Sequence, residues 1–462
     1  MNRQNWQHKR ILVVGIGRSG YDAARVLGAL GARVTACDAS TPALARELMS
    51  LGAEVLTEWR GGLPSKDYDL VVTSPGVPAE SVILREALAN DIPIWSEVEI
   101  AYQVSRAPII GITGTNGKST TAALIAHILQ TAGHRALLCG NIAAEGLERT
   151  LTDAAFQADE HEILVAEVSS FQLEWVHEFR PCVGVWTTLS RDHLDRHLSL
   201  EEYGRVKARL FRRQTESGVA VLPGDDAFIQ SLVATKAQYI YFSHQNINTN
   251  ANRFVWCNAS GVYLREGETV QRIASTERYP LLGEHNWRNL AAAVAASLRW
   301  NVAPEHLEAA IRSVRPLPHR MEWVAEVNGV QYVNNSMCTN LQALQESLRA
   351  VPARVVLIMG GVDKSNTPFQ EIVPLLQQKA RAVLLIGADA ARIEQQLRQA
   401  GWQCIVRCDG LEEAVVQARQ LAQPGEWVLL SPACASFDMF ANFQERGDAF
   451  RRIVRRLEER DE

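Results

Sequence analysis

A chain of 462 residues, 47% hydrophobic and 21% charged, carries enough apolar material for two or three globular domains and lacks the bias of a disordered or fibrous protein. A net charge of −5 removes the electrostatic case for nucleic acid or an anionic membrane surface, so neither is an expected partner. The eight cysteines form no CxxC pair, the opening segment is polar, and no apolar run reaches the roughly 18 residues that span a bilayer, so a reduced, cytoplasmic protein without membrane insertion is expected.

The first predicted strand covers 10–14 and runs into Gly15-Ile16-Gly17-Arg18-Ser19-Gly20. A helix is predicted over 21–30 and a second strand over 33–37, ending at Asp38. This is a βαβ unit with a GxGxxG turn and an acidic residue 18 positions after its last glycine. Alone it points to NAD; beside a second phosphate loop it can equally hold another nucleotide diphosphate. A further strand over 69–73 precedes the turn Ser74-Pro75-Gly76, and the first domain is expected to cover 1–107.

The apolar stretch 108–110 then feeds Gly111-Ile112-Thr113-Gly114-Thr115-Asn116-Gly117-Lys118-Ser119-Thr120-Thr121, with a helix predicted over 121–131. Strand, glycine-rich loop and helix is the geometry that binds phosphate: the loop N–H groups turn inward at the anion and the helix N-terminus adds its dipole. Lys118 would reach the β/γ-phosphates, and Ser119 or Thr120 would offer a hydroxyl to Mg²⁺. The spacing departs from the strict P-loop, since Ile112 stands where its first glycine belongs. Buried parallel strands are predicted over 163–168 and 183–188. Glu167 lies near the end of the first, where a carboxylate suits a hard cation, and Asp192-His193-Leu194-Asp195 follows the second. The segment 238–278 alternates and is aromatic, which predicts a small β-rich section packed on the main sheet; 286–300 is an alanine-rich helix. This second domain is expected to cover 108–314.

Arg315-Pro316-Leu317-Pro318 reads as the linker into a third domain over 315–462. It alternates again: a strand over 355–359, Gly360-Gly361, a helix over 369–378, a strand over 382–386, and a strand over 427–430 before Ser431-Pro432. The predicted fold is α/β in three domains: a Rossmann-like N-terminal domain, a central P-loop-type ATPase domain with a parallel sheet and a small β section, and a C-terminal Rossmann-like α/β domain.

Together these motifs resemble the Mur ligases over nearly the whole chain. The resemblance rests on Gly114-Thr115-Asn116-Gly117-Lys118-Ser119, Glu167-Val168-Ser169-Ser170-Phe171-Gln172-Leu173, Asp192-His193-Leu194-Asp195, Gly283-Glu284-His285-Asn286 and Leu317-Pro318-His319-Arg320. The tail Ser431-Pro432-Ala433-Cys434-Ala435-Ser436-Phe437-Asp438 and the short GxGxxG first domain resemble the branch that adds D-glutamate. The resemblance implies an ATP-dependent, amide-forming ligase that adds D-glutamate to UDP-N-acetylmuramoyl-L-alanine through an acyl phosphate, in peptidoglycan precursor synthesis. It would use ATP and Mg²⁺ and act as a monomer. Two alternatives stand beside it: a paralogue adding another acidic amino acid such as L-glutamate, and a catalytically impaired nucleotide-binding homologue.

The resemblance also assigns roles. Lys118, His193 and Lys207 would be catalytic. ATP would be held by Gly114, Thr115, Asn116, Gly117, Lys118, Ser119 and Thr120, with Asn286, Asn289, His319, Arg320 and Asn335 around its base and ribose. Ser119, Glu167, His193 and Lys207 would ligate Mg²⁺, Lys207 as a carbamate, which turns a cation into an anionic oxygen ligand. Gly17, Arg18, Ser19 and Asp38 would hold UDP; Asn141, Ser169 and Gln172 the muramoyl group; Thr339, Lys364, Ser436 and Phe443 the D-glutamate. One motif departs from the pattern. Where the family reads Asn-Asp-Ser-Lys-Ala-Thr-Asn, this chain has Asn334-Asn335-Ser336-Met337-Cys338-Thr339-Asn340. An acid and a base are missing together, which leaves no orphan charge and implies compensation.

Overall fold

Runs of valine, isoleucine and leucine too apolar for a one-faced strand call for sheets covered on both sides. The computed structural model describes residues 5–142, 149–193, 196–247, 249 and 251–461, and it contains three such sheets. The first has five parallel strands in the order Glu54–Leu56, Arg33–Cys37, Arg10–Val14, Leu70–Thr73 and Ile94–Ser96. Its order reverses at Arg10–Val14, so the GxGxxG turn leaves at the topological switch point. The following helix, Arg18–Ala29, begins three residues earlier than the predicted 21–30. The last glycine of the motif is already inside the first turn. A Cβ on Gly20 would lie 1.9 Å from the Gly15 carbonyl oxygen, so only glycine lets helix and strand approach this closely.

The central sheet has nine strands in the order Thr269–Ala274, Gly261–Glu266, Arg253–Asn258, Gln238–Ser243, Val219–Pro223, Val183–Trp186, Ile109–Thr113, Glu162–Glu167 and Arg135–Gly140. The segment 238–278 is β-rich as expected, but its strands lengthen the main sheet instead of packing on its face. Gln238–Ser243 pairs in parallel with Val219–Pro223, Arg253–Asn258 adds in parallel, and the last two strands are antiparallel. Edge addition satisfies backbone groups of Val219–Pro223 that face packing would leave open. Behind this sheet the helix Glu284–Ser297 lies against the helix Lys118–Thr131. Its Ala291, Ala292, Ala293, Ala295 and Ala296 are fully buried, and their small side chains set the close approach. A leucine at Ala292 would overpack this seam by about 1–3 kcal/mol.

The third sheet has six strands, ordered Glu322–Val327, Val330–Asn334, Trp427–Leu430, Val355–Gly360, Ala380–Ile386 and Ile405–Arg407. All pairs are parallel except the first, a hairpin that the sequence analysis did not identify. Its turn is Asn328-Gly329, with φ of 53° and 75°, the left-handed pair that a two-residue hairpin requires. Each sheet lies between two apolar clusters, one on each face. Among the described residues no helix is long and apolar enough to cross a membrane.

Side chains tie the three units together. Glu99 of the first unit accepts the backbone N–H groups of His177, Glu178 and Phe179 at 2.7, 3.0 and 3.0 Å. Arg25 pairs with Asp153 at 2.5 Å, and Asp22 accepts the Thr150 hydroxyl at 2.7 Å. The third unit reaches the second through Asn340, whose amide donates to Asn116 Oδ1 at 3.1 Å.

Candidate active site

The glycine loop closes between Ile109–Thr113 and the helix that starts at Lys118, three residues before its predicted start. Gly114 and Gly117 have φ of 145° and 85°. A Cβ at Gly114 would meet Thr187 Oγ1 at 2.0 Å, and one at Gly117 would meet Asn289 Oδ1 at 2.5 Å. The loop is braced from the neighbouring strand: Thr188 Oγ1 accepts the Asn116 N–H at 2.9 Å, and the Thr187 hydroxyl donates to the Asn116 carbonyl at 2.6 Å. Lys118 bends over its own loop, its Nζ donating to the Thr115 carbonyl at 2.8 Å. Ser119 donates to Glu167 Oε2 at 2.6 Å, and Asn141 Nδ2 lies 3.4 Å from the other carboxylate oxygen. Ammonium, hydroxyl and carboxylate therefore converge at the C-terminal ends of adjacent parallel strands, where open α/β sheets bind ligands.

Lys207 is the most unusual group here. It lies on the helix Leu200–Ala208 and is only 1% exposed, so it is no solvated helix-face lysine. Its Nζ donates to the Gly114 carbonyl at 2.9 Å and stands 4.2 Å from the Tyr203 ring centroid. Burial drives its pKa well below the usual lysine range, and Lys118 adds to the effect, while Asp192 and Glu167 oppose it. The amine is thus pushed toward its neutral, nucleophilic form. His193, in the left-handed region with φ of 53°, packs edge-on to Phe171 at 4.8 Å and stands 6.5 Å from Tyr203, the ring that Lys207 also meets. Leu194 and Asp195 of that motif lie outside the described residues. Among the described residues there is no group of three or more His, Cys, Asp or Glu able to hold a metal.

Two cavities meet beside the loop. The larger, about 240 Å³, runs between the second and third units and is walled by Leu124, Leu281, Leu282, Val314 and Leu317. The smaller, about 220 Å³, opens on Gly117, Thr187, Thr188 and Asn289. Asn116, His285, Arg320 and Glu346 line both. Asn286 and Asn335 line the larger one, and Asn289 Nδ2 donates to Asn286 Oδ1 at 3.1 Å. His319 does not line either cavity. Its ring faces Asn334 at 3.0 Å and the helix Phe443–Asp461, where a Cβ on Gly447 would strike it. Asn335 is buried and engaged: its amide donates to Ser347 and Ser431 at 2.8 and 3.0 Å, and its oxygen accepts the Met321 N–H at 3.1 Å. Met337 meets Arg320 through its sulphur, 3.7 Å from Nη1.

Gly17, Arg18, Ser19 and Asp38 all line one cavity of about 620 Å³ in the first unit. Burial raises the Asp38 pKa, but hydrogen bonds from the Ile16 N–H and from Ser40 outweigh it, and the carboxyl stays below its usual value. Ser169 and Gln172 form a capping box on the turn Ser170–Leu173. Gln172 also donates to the buried Glu97 at 2.7 Å. In the third unit Thr339, Lys364 and Ser436 sit on loops that leave the neighbouring strands Val330–Asn334, Val355–Gly360 and Trp427–Leu430, and Phe443 opens the last helix. Lys364 Nζ stands 4.5 Å over the Phe437 ring, Ser436 is buried, and the Ser336 hydroxyl donates to the Phe443 carbonyl at 2.7 Å.

Sequence reasoning passed over Tyr203, His197 and Arg196. Tyr203 lies one turn before Lys207 on the same helix, a spacing that could have found it. His197 is buried, 2.9 Å from the Ser170 hydroxyl, and stacks obliquely on Tyr203. Arg196 reaches back to the first unit.

Known proteins resemble the chain along its length. The Mur ligase middle domain matches residues 112–297, and the Mur ligase glutamate ligase domain matches 319–434. The UDP-N-acetylmuramoylalanine–D-glutamate ligase of Pelotomaculum thermopropionicum is 38% identical over 456 residues, 98% of each chain. That of Geobacillus kaustophilus is 38% identical over 461 residues, again 98% of each. In three dimensions the chain resembles the MurF ligase of Thermotoga maritima in complex with ADP, at a TM-score of 0.60 and 16% identity, covering 98% of this chain and 96% of that one. It also resembles a bifunctional folylpolyglutamate/dihydrofolate synthase with Mn, AMPPNP and L-glutamate bound, at a TM-score of 0.57 and 17% identity, over 77% and 93% of the two chains.

Proposed function

Because this chain belongs to the Mur ligase family, we propose that it is an ATP-dependent ligase joining D-glutamate to UDP-N-acetylmuramoyl-L-alanine in peptidoglycan precursor synthesis. The carrying observation is the convergence of Lys118, Ser119, Glu167 and the buried Lys207 on one phosphate loop. Similarity over 98% of the D-glutamate ligases supports the choice of amino acid. We read the protein as a cytoplasmic monomer whose residues 1–107 hold the uridine nucleotide, 108–314 the ATP, and 315–462 the glutamate.

The reaction must bring a carboxylate and a polyphosphate together, two anions that repel. Lys118 and the loop N–H groups offset that repulsion at the γ-phosphate. The substrate carboxylate attacks phosphorus, ADP leaves, and the resulting acyl phosphate is taken by the glutamate amine. A tetrahedral intermediate then expels phosphate and leaves the amide. Mg²⁺ suits the donor set present, which is a serine hydroxyl beside a carboxylate, both oxygen donors. Ser119 and Glu167 would hold one ion, and His193 with a carbamate on Lys207 a second; when bound, the ions neutralise charge on the transferring phosphoryl group. The Lys207 carbamate forms by attack of the neutral amine on CO₂ with loss of a proton, and burial favours that neutral form. Asn340, bonded to Asn116, brings the third unit over the loop, where it would keep water from the acyl phosphate.

The test is isotopic. UDP-N-acetylmuramoyl-L-alanine labelled with ¹⁸O in its carboxylate is turned over with ATP and D-glutamate. One labelled oxygen should pass to each released phosphate as the amide forms; unlabelled phosphate released with the amide would exclude the mechanism.

A further inference from the structure

The waist where the two cavities meet carries four polar residues, and their charges divide the work there. Asn116 belongs to the phosphate loop. His285 is half-buried, and desolvation together with the nearby Arg320 pulls its pKa down to about 4, so it is neutral at pH 7. Arg320 is the base there and Glu346 the acid; burial raises the Glu346 pKa, and Arg320 and the Gln342 hydrogen bond oppose the rise. Among the described residues lining the larger cavity, Glu346 is the single carboxylate.

Asn335 and Met337 line the same cavity but are poorly placed to receive a hydroxyl. Both amide hydrogens of Asn335 are engaged by Ser347 and Ser431, and its buried oxygen already accepts the Met321 N–H. The thioether of Met337 is a weak acceptor that already faces Arg320. Glu346 differs. It lies on the helix Leu341–Ala350, and Gln342, one turn earlier, donates to its Oε1 at 3.1 Å. That bond sets the carboxylate's orientation and leaves lone pairs for another donor. A carboxylate is the group that commonly accepts a ribose diol.

We propose that Glu346 accepts the ribose hydroxyls of the bound ATP at the junction of the two cavities. The larger cavity, apolar on one wall, then takes the adenine, and the smaller one, at the loop, takes the phosphates. Arg320 sits between them, against the α-phosphate side. The assignment rests on the ATP reading above and gives the ribose contact to Glu346 in place of Asn335.

Calorimetry with Mg²⁺ and no other substrate separates the two claims. Wild type should bind ATP on the order of tenfold more tightly than 2′,3′-dideoxy-ATP, the worth of hydrogen bonds to a charged acceptor. Glu346→Ala should bind the two nucleotides about equally, with the weakening confined to ATP. Glu346→Gln, which keeps the shape and packing, should fall between. If wild type binds both nucleotides equally, or if Glu346→Ala keeps the full preference, the assignment is overturned while the ATP reading stands. If wild type binds no ATP, the ATP reading itself falls.

Discussion

Lys118 and Lys207 bring the same side chain to one loop in different surroundings. Lys118 is half-buried and folded over the Thr115 carbonyl at the mouth of the site; Lys207 is sealed behind the loop under Tyr203. The first is placed to lend charge to a phosphoryl group. Lys118→Ala should therefore lower turnover on the order of 10²-fold or more while leaving the thermal midpoint within a few degrees of wild type, as paired rate and melting measurements would show. The second is placed to become an oxygen ligand. Lys207→Ala should be inactive, and acetate or another short carboxylate should restore part of the rate; an alanine variant with normal turnover would reduce Lys207 to packing. Glu97 offers a pH test. Burial raises its pKa from 4.5 to about 7, against hydrogen bonds from Gln172 and Ser19. The unfolded chain ionises this group first, so between about pH 4.5 and 7 folding retains a proton that unfolding releases, and stability falls as pH rises. Above pH 7 the penalty is complete, roughly 3 kcal/mol at most. Glu97→Gln should melt higher than wild type at pH 8, and that advantage should shrink toward zero near pH 5.

At the scale of elements, the chemistry sits where strands end. Arg10–Val14, Ile109–Thr113 and Trp427–Leu430 could be placed from sequence because their apolar runs are continuous and end in glycine or Ser-Pro punctuation. The loop residues Gly114 to Ser119 were legible for the same reason: glycines before a Lys-Ser pair announce their geometry. Other features are decided by tertiary contacts that no local pattern records. Lys207 reads as an ordinary lysine on an amphipathic helix until Tyr203 and Gly114 bury it. His319 carries the same signature as its neighbour Arg320, yet Gly447, more than a hundred residues later, makes room for its ring away from the cavity. Arg196 is a further case. Its guanidinium donates to the Pro75 and Val77 carbonyls of the first unit at 2.8 and 3.0 Å, pairs with Glu174 at 2.5 Å, and stacks 4.4 Å over Phe171. Pro75 and Val77 line the first unit's cavity, so the clamp shapes the proposed uridine site. Arg196→Ala should cost about 2 kcal/mol of stability and raise KM for the uridine substrate more than for ATP. Arg196→Lys should recover little, because a point charge cannot serve both carbonyls and the carboxylate. Equal changes in both KM values would place the clamp outside substrate binding.

At the scale of the whole molecule, three sheets each contribute one proposed substrate, and none of the three surfaces can perform the reaction alone. The first and second units share Glu99, Arg25 and Arg196 contacts, while the third reaches the loop through Asn340 and Gln342 on Asn116. The missing charges at Asn335 and Met337 fall in the third unit, away from Lys118, Glu167 and Lys207, so the phosphoryl-transfer groups stay whole and an active enzyme is expected. Phosphate release by the wild-type protein, measured with ATP, Mg²⁺ and UDP-N-acetylmuramoyl-L-alanine and either enantiomer of glutamate, tests that claim most directly. Release that requires both the uridine substrate and D-glutamate, with a product heavier by one glutamyl residue and little turnover with L-glutamate, is the predicted result. Release with L-glutamate alone, or none with either enantiomer, would contradict it.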